Sequence, residues 1–203
     1  IYTSHNLLLD SLSFRDVRTT QNREHSPIRI AFWGFIRHEK INEEIIRKLG
    51  GDKRFELHYY GREQQTAFNL KALVEKKGYQ NIFFHGVYLP QDRYSFAEKT
   101  DLLHNMYGND SGTQRAMGNK YYDGIVFRIP QLCTEGSYMG SRVSKENVGI
   151  AVDPYDEEFA TRIEEYYKKI DWKNFDTACD MAVERVATEY EDGKKVICAL
   201  VKE

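Results

Sequence analysis

The chain carries almost no net charge. Its 29 lysines and arginines against 31 aspartates and glutamates leave −2 over 203 residues, so no bulk electrostatic attraction draws it to nucleic acid. Long apolar runs are missing too, and none approaches the roughly 20 residues that cross a bilayer. The three cysteines, Cys133, Cys179 and Cys198, are odd in number and lack paired spacing. They exclude a disulfide framework and read as reduced core thiols of a cytosolic protein. Common site motifs are also absent. Gly34 is followed by Phe35-Ile36-Arg37, so the first strand has no G-x-G-x-x-G, and no G-x-x-x-x-G-K-[ST] occurs. The six histidines have no metal-ligand spacing, and no Asp-x-Asp pair is present to hold a metal–diphosphate. Neither a metal nor another cofactor is expected. No Ser/His/Asp grouping has local support. No leader-like segment is visible, and the chain starts at Ile1, so the expectation is a part of a longer protein.

What is present is alternation. Ile28, Ile30, Phe32, Trp33 and Ile36 form a dense apolar run between Pro27 and a charged turn, Arg37-His38-Glu39-Lys40. Such a run reads as a strand buried on both faces, near the centre of a parallel sheet. Ile41, Ile45, Ile46 and Leu49 follow at helical spacing and stop at Gly50-Gly51. The pattern then repeats. Strands are expected over 55–61, 81–89, 101–107, 129–133 and 149–152, with helices marked by Ala67 to Val74, Tyr94 to Lys99 and Tyr121 to Val126. From Glu157 onward the chain reads as helix, with one apolar stripe through Phe159, Ile163, Tyr166, Tyr167 and Ile170. A second runs through Phe175, Cys179, Ala182, Val183 and Val186. Crossovers of this length predict an α/β fold, a doubly wound parallel sheet with a closing pair of C-terminal helices. Residues 1–27 read as an entering segment and linker: Asn6 to Leu9 fits a short strand or helix start, and Phe14 to Ser26 is polar and aperiodic.

Two constellations carry chemistry. In open α/β sheets ligands bind outside the carboxyl ends of the strands, which is where Arg37 and Lys40 stand. A fork of donors and a point charge suit a diphosphate, although on spacing alone an exposed first helical turn is the plainer reading. The second is Gly118-Asn119-Lys120-Tyr121-Tyr122-Asp123. A glycine at a helix start lets an anion approach free backbone N–H groups. One turn on, Asp123 is placed to accept from two vicinal ribose hydroxyls, or merely to complement the helix dipole.

The order of these segments resembles the C-terminal, donor-binding half of glycosyltransferases of the GT-B fold, in particular family 4 and the group 1 transferases of surface-polysaccharide synthesis. FWGFIRHEK resembles their first strand and glycine loop. Lys40 matches the family lysine, Phe35 stands where the arginine usually is, and Arg37 offers the substitute. NIFFHGVY, the Asp101-Leu102-Leu103 segment, NKYYDGIVFRIPQL and VGIAVD resemble later motifs in the family's order, with Asp123 at the ribose-binding carboxylate and Pro130 at the family proline. The match spans 28–190. One departure is chemical: the family pairs two glutamates eight positions apart, and eight before Asp123 stands Arg115.

The resemblance implies a donor-binding domain over 28–203 that takes a nucleotide-diphosphate sugar. The diphosphate is expected at Arg37, Lys40, Gly118, Asn119 and Lys120, the ribose at Asp123 and the base at Val87 and Tyr88. A saccharide or lipid-linked acceptor would bind through an N-terminal half outside this chain. The implied location is the cytoplasm, with peripheral membrane association of the full-length protein in view. Two rivals stay open: a non-catalytic nucleotide- or partner-binding module, favoured by Arg115, and a sugar-nucleotide 2-epimerase of the same fold.

Overall fold

The structure is a computed structural model that describes residues 5, 23, 25–108 and 112–201, leaving aside the side chains of 200 and 201. Six parallel strands form one sheet: β1 Ile28–Trp33, β2 Phe55–Tyr60, β3 Ile82–Gly86, β4 Leu102–His104, β5 Gln131–Thr134 and β6 Gly149–Val152. Their order is β3-β2-β1-β4-β5-β6. The chain builds outward from β1 through β2 and β3, returns, and builds outward on the other side from β4. The switch point lies between β1 and β4, where a doubly wound sheet opens a crevice.

Helices cover both faces. They are α1 Glu39–Leu49, α2 Gln65–Lys77, α3 Arg93–Glu98, α4 Asn119–Val126, α5 Tyr138–Lys145, α6 Phe159–Lys168 and α7 Trp172–Val201. Strand β1 is apolar on both sides because it feeds two cores. Ile28, Ile30 and Phe32 join the first with α1, α2 and α6, while Ala31 and Trp33 join the second with α3, α4, α5 and α7. The two C-terminal stripes therefore close opposite faces, α6 through Phe159 and Ile163 and α7 through Phe175, Cys179 and Val183. They do not pair over one end.

Several expectations change. The third strand stops at Gly86, whose φ of 77° turns the chain out of the sheet before Val87. The fourth strand is cut to Leu102–His104, with the Asp101 carboxylate anchored to Arg29 just before it. Helix α5 escaped detection in a stretch rich in Ser and Gly, yet the Ser137 hydroxyl caps it by accepting from the Gly140 N–H at 2.9 Å. Cys133 and Cys179 are buried, but Cys198 is exposed on α7 and is no core thiol. Of the expected linker, Arg23 is buried and pairs with Asp176 at 2.8 Å; the reading of Asn6 to Leu9 lies outside the described residues.

Candidate functional site

A cleft of about 450 Å³ opens at the switch point, within the usual size of small-molecule sites. Its floor is the end of β1 (Trp33, Gly34), its walls the segment after β4 (Tyr107) and the start of α4, and its rim Tyr88 and Arg93. Arg37, Gly118, Asn119, Lys120 and Asp123 all line it. Among the described residues three cations, Arg37, Arg93 and Lys120, and one carboxylate therefore line it.

Lys120 is its centre. The side chain is buried at 7% exposure. Its ammonium donates to the Tyr107 hydroxyl at 3.0 Å and stands 4.1 Å from the Phe32 ring centroid. Among the described residues no carboxylate pairs with it, so the cation is held by a hydroxyl and two aromatic faces. Gly118, the residue before α4, must be small: a Cβ there would sit 2.5 Å from the Tyr107 hydroxyl. Gly34 turns the chain with φ 135°, which lets the β1 loop pass beneath Lys120 without a side chain.

Asp123 is not a free carboxylate. At 6% exposure it accepts from the Trp33 indole N–H at 2.9 Å and from Arg93 Nη1 at 3.0 and 3.2 Å. Neither partner was legible in the sequence. Trp33 read only as core, and Arg93 sits in a polar stretch without periodicity to show where its side chain goes.

The loop after β1 has a buried support. The Asn42 amide donates to the Arg37 and His38 carbonyls at 2.7 and 3.1 Å, and its carbonyl oxygen accepts from the Tyr59 hydroxyl at 2.9 Å. His104 Nε2 lies 3.0 Å from the same oxygen, and its Nδ1 accepts from the Met106 N–H. Nε2 must therefore carry the proton, and burial pushes the His104 imidazole down to about 3. This clamp holds His38 in the left-handed region at φ 58°, where histidine is tolerated better than most side chains.

Arg37 and Lys40 diverge. Arg37 lies over the Phe35 ring and lines the cleft. Lys40 lines a neighbouring hollow of about 300 Å³ with Gly108, Pro154 and Tyr155, separated from the cleft by His38, which borders both. Of the two base-site residues, Tyr88 lines the cleft, whereas Val87 is 77% exposed outside it. Arg115 is exposed, in a loop tied down where Tyr138 N–H donates to the Gln114 carbonyl at 2.8 Å. Among the described residues no three His, Cys, Asp or Glu side chains converge to hold a metal, and no helix is long and apolar enough to cross a membrane.

Fold and cleft together define a Rossmann-like α/β lobe of the kind found in GT-B glycosyltransferases. No protein-family model matches the chain, and no curated protein sequence does. Solved structures do. A glycosyltransferase from Rickettsia africae aligns with 98% of this chain and 54% of its own, at 13% identity and TM-score 0.65. Anabaena Alr3699/HepE, solved with UDP and glucose, aligns over 98% and 56% at 12% identity and TM-score 0.69. WaaG, a glycosyltransferase of lipopolysaccharide biosynthesis, aligns over 94% and 51% at 17% identity and TM-score 0.63. The chain thus spans about half the length of these proteins. At such identities the likeness establishes the fold.

Proposed function

We propose that the chain is the donor-binding lobe of a glycosyltransferase. It would move a sugar from a nucleotide-diphosphate sugar to a saccharide or lipid-linked acceptor, in the synthesis of a surface polysaccharide. The observation that carries this reading is Lys120: a buried cation with no carboxylate partner among the described residues, aimed into a cleft at the switch point of a sheet shared with glycosyltransferases. A buried charge without a counterion is costly, and a diphosphate is the counterion that fits.

In this reading the diphosphate lies against Lys120, Arg37 and the first N–H groups of α4 at Gly118 and Asn119, with Lys40 serving the adjoining hollow. The ribose lies at Asp123 and the base at Tyr88, with Val87 next to it in the chain but outside the cleft. The chemistry is electrostatic: cations and backbone dipoles stabilise the charge that grows on the leaving diphosphate as the glycosidic bond breaks. The reading is metal-free: Lys120 and Arg37 would supply the positive charge against the diphosphate. Arg115, exposed where the resemblance expects a glutamate, favours one rival, a nucleotide-binding module without catalysis.

Calorimetric titration with UDP, GDP and ADP, with and without EDTA, tests the reading. At least one should bind, and equally well with chelator. Failure of all three would sink the proposal, and EDTA-sensitive affinity would overturn its metal-free form.

A further inference from the structure

Arg93 is a cleft residue with donors to spare. Its Nε donates to the Pro90 carbonyl at 2.9 Å, and its Nη1 to both oxygens of Asp123. Among the described residues its Nη2 has no hydrogen-bond partner, and the side chain, 15% exposed, lines the cleft. A planar guanidinium pinned at two nitrogens has the third fixed in direction. Two N–H groups are thus presented to whatever occupies that end of the cleft.

Asp123 has little acceptance left. An ionised carboxylate offers about four lone-pair sites, and Trp33 and Arg93 engage three of them. One more donor can be taken, on the Oδ1 side. A ribose presents two neighbouring hydroxyls, each able to donate and to accept. Placing both on Asp123 would require Arg93 to withdraw and leave a carboxylate of 8% side-chain exposure without its counterion, which is strongly unfavourable. Keeping Arg93 in place satisfies everything: one hydroxyl donates to Asp123, and the other accepts from Nη2.

We infer that Arg93 is a recognition residue that reads the ribose of a ribonucleoside diphosphate jointly with Asp123, one as donor and the other as acceptor. This rests on the donor-lobe reading above. Arg93 lies on α3, a different element from the loop after β1 that carries Arg37 and from α4 that carries Lys120, so it can be substituted apart from them.

The test uses UDP, GDP and ADP, each paired with its 2′,3′-dideoxy analogue, on the parent chain and on Arg93→Lys. The lysine keeps a cation against Asp123, so the fold should persist by circular dichroism, but it has no Nη2. In Arg93→Lys the ribonucleotide that binds the parent should weaken about tenfold, the change worth about 1.4 kcal/mol. Its dideoxy analogue should change less than about twofold, against the same conversion. Equal weakening of both would make Arg93 a source of charge and overturn the inference, as would unchanged binding. Tighter binding would show a latch that masks Asp123, and would overturn the inference too. A parent that holds the dideoxy analogue as tightly as the ribonucleotide reads no ribose, which also overturns it. If the parent binds none of the three nucleotides, the donor-lobe reading falls and this inference with it; every other failure falls on Arg93 alone.

Discussion

Lys120 is buried at 7% exposure with its ammonium against the rings of Phe32 and Tyr107, and burying a charge carries a loss of hydration. The hydrogen bond to Tyr107 and the ring faces restore part of that loss, the rings on the scale of about 0.5–2 kcal/mol. Lys120 thus makes the empty protein less stable than an apolar side chain of the same length would. Lys120→Met is expected to raise unfolding stability by about 0.5–2 kcal/mol, the range of gains where function had set the residue. It should also weaken nucleoside diphosphate binding by about 1.5–3 kcal/mol, the value of a hydrogen bond to a charged group. Chemical denaturation and calorimetry on the same variant read both. A drop in stability with unchanged binding would make Lys120 a structural residue. Lys40→Ala should weaken binding less than Lys120→Met, because Lys40 faces the neighbouring hollow; a larger loss would move the diphosphate there. The sequence made Gly118, Lys120 and Asp123 visible because glycine and charge at a helix start have a local signature. It hid Trp33 and Arg93, since a contact spanning 90 or 30 positions leaves none.

Three elements meet in the clamp behind the β1 loop: β4 through His104, β2 through Tyr59 and α1 through Asn42. Its pH dependence follows from burial. The folded imidazole titrates near about 3, below the ordinary 6.5, so below about pH 6.5 the unfolded chain binds a proton that the folded chain refuses. The stability this group contributes is complete above the unfolded value and is lost as pH falls from about 6.5 toward about 3. At about pH 5 the loss is about 2 kcal/mol, one and a half units at about 1.36 kcal/mol each. His104→Gln should be less stable at neutral pH but should flatten the decline between about pH 7 and pH 5. Denaturant midpoints of both chains across that range give the answer, and parallel curves would show that His104 is not what titrates. His58 and His85, also lowered by burial, remain in both proteins and cancel. Elements of this kind were largely legible. β1 and α1 could be read because an apolar run meets helical spacing at a charged turn, and α6 and α7 because each buries a full stripe. Helix α5 was not, because its buried face is only Met139, Gly140 and Val143. The clamp itself was invisible, since Asn42 and His104 look in sequence like ordinary polar residues.

Over the whole molecule a net charge of −2 coexists with a cleft whose described lining holds Arg37, Arg93 and Lys120 but one carboxylate. Binding and turnover should therefore separate in this chain. Binding needs only the cations and helix start that the cleft already holds. Transfer needs more: an acceptor hydroxyl in line with the donor sugar, a group to take its proton, and exclusion of water. Asp123, the one carboxylate among the described cleft residues, is tied to Arg93 and Trp33, so it is a poor base. The chain also spans about half the length of the glycosyltransferases it aligns with, 54% and 56% for two of them. If the cleft is one wall of a two-walled site, the 203-residue chain should bind UDP, GDP or ADP yet release no nucleotide from UDP-glucose, GDP-mannose or ADP-glucose above the uncatalysed rate. Adding an oligosaccharide or a lipid-linked sugar should change nothing. The measurement is coupled detection of released nucleoside diphosphate beside a binding titration on the same preparation. Transfer to any of these acceptors by the isolated chain would show that a single wall completes the site. Slow hydrolysis without transfer, abolished by Lys120→Met, would show that this wall already stabilises the leaving diphosphate and that what it lacks is the acceptor's side.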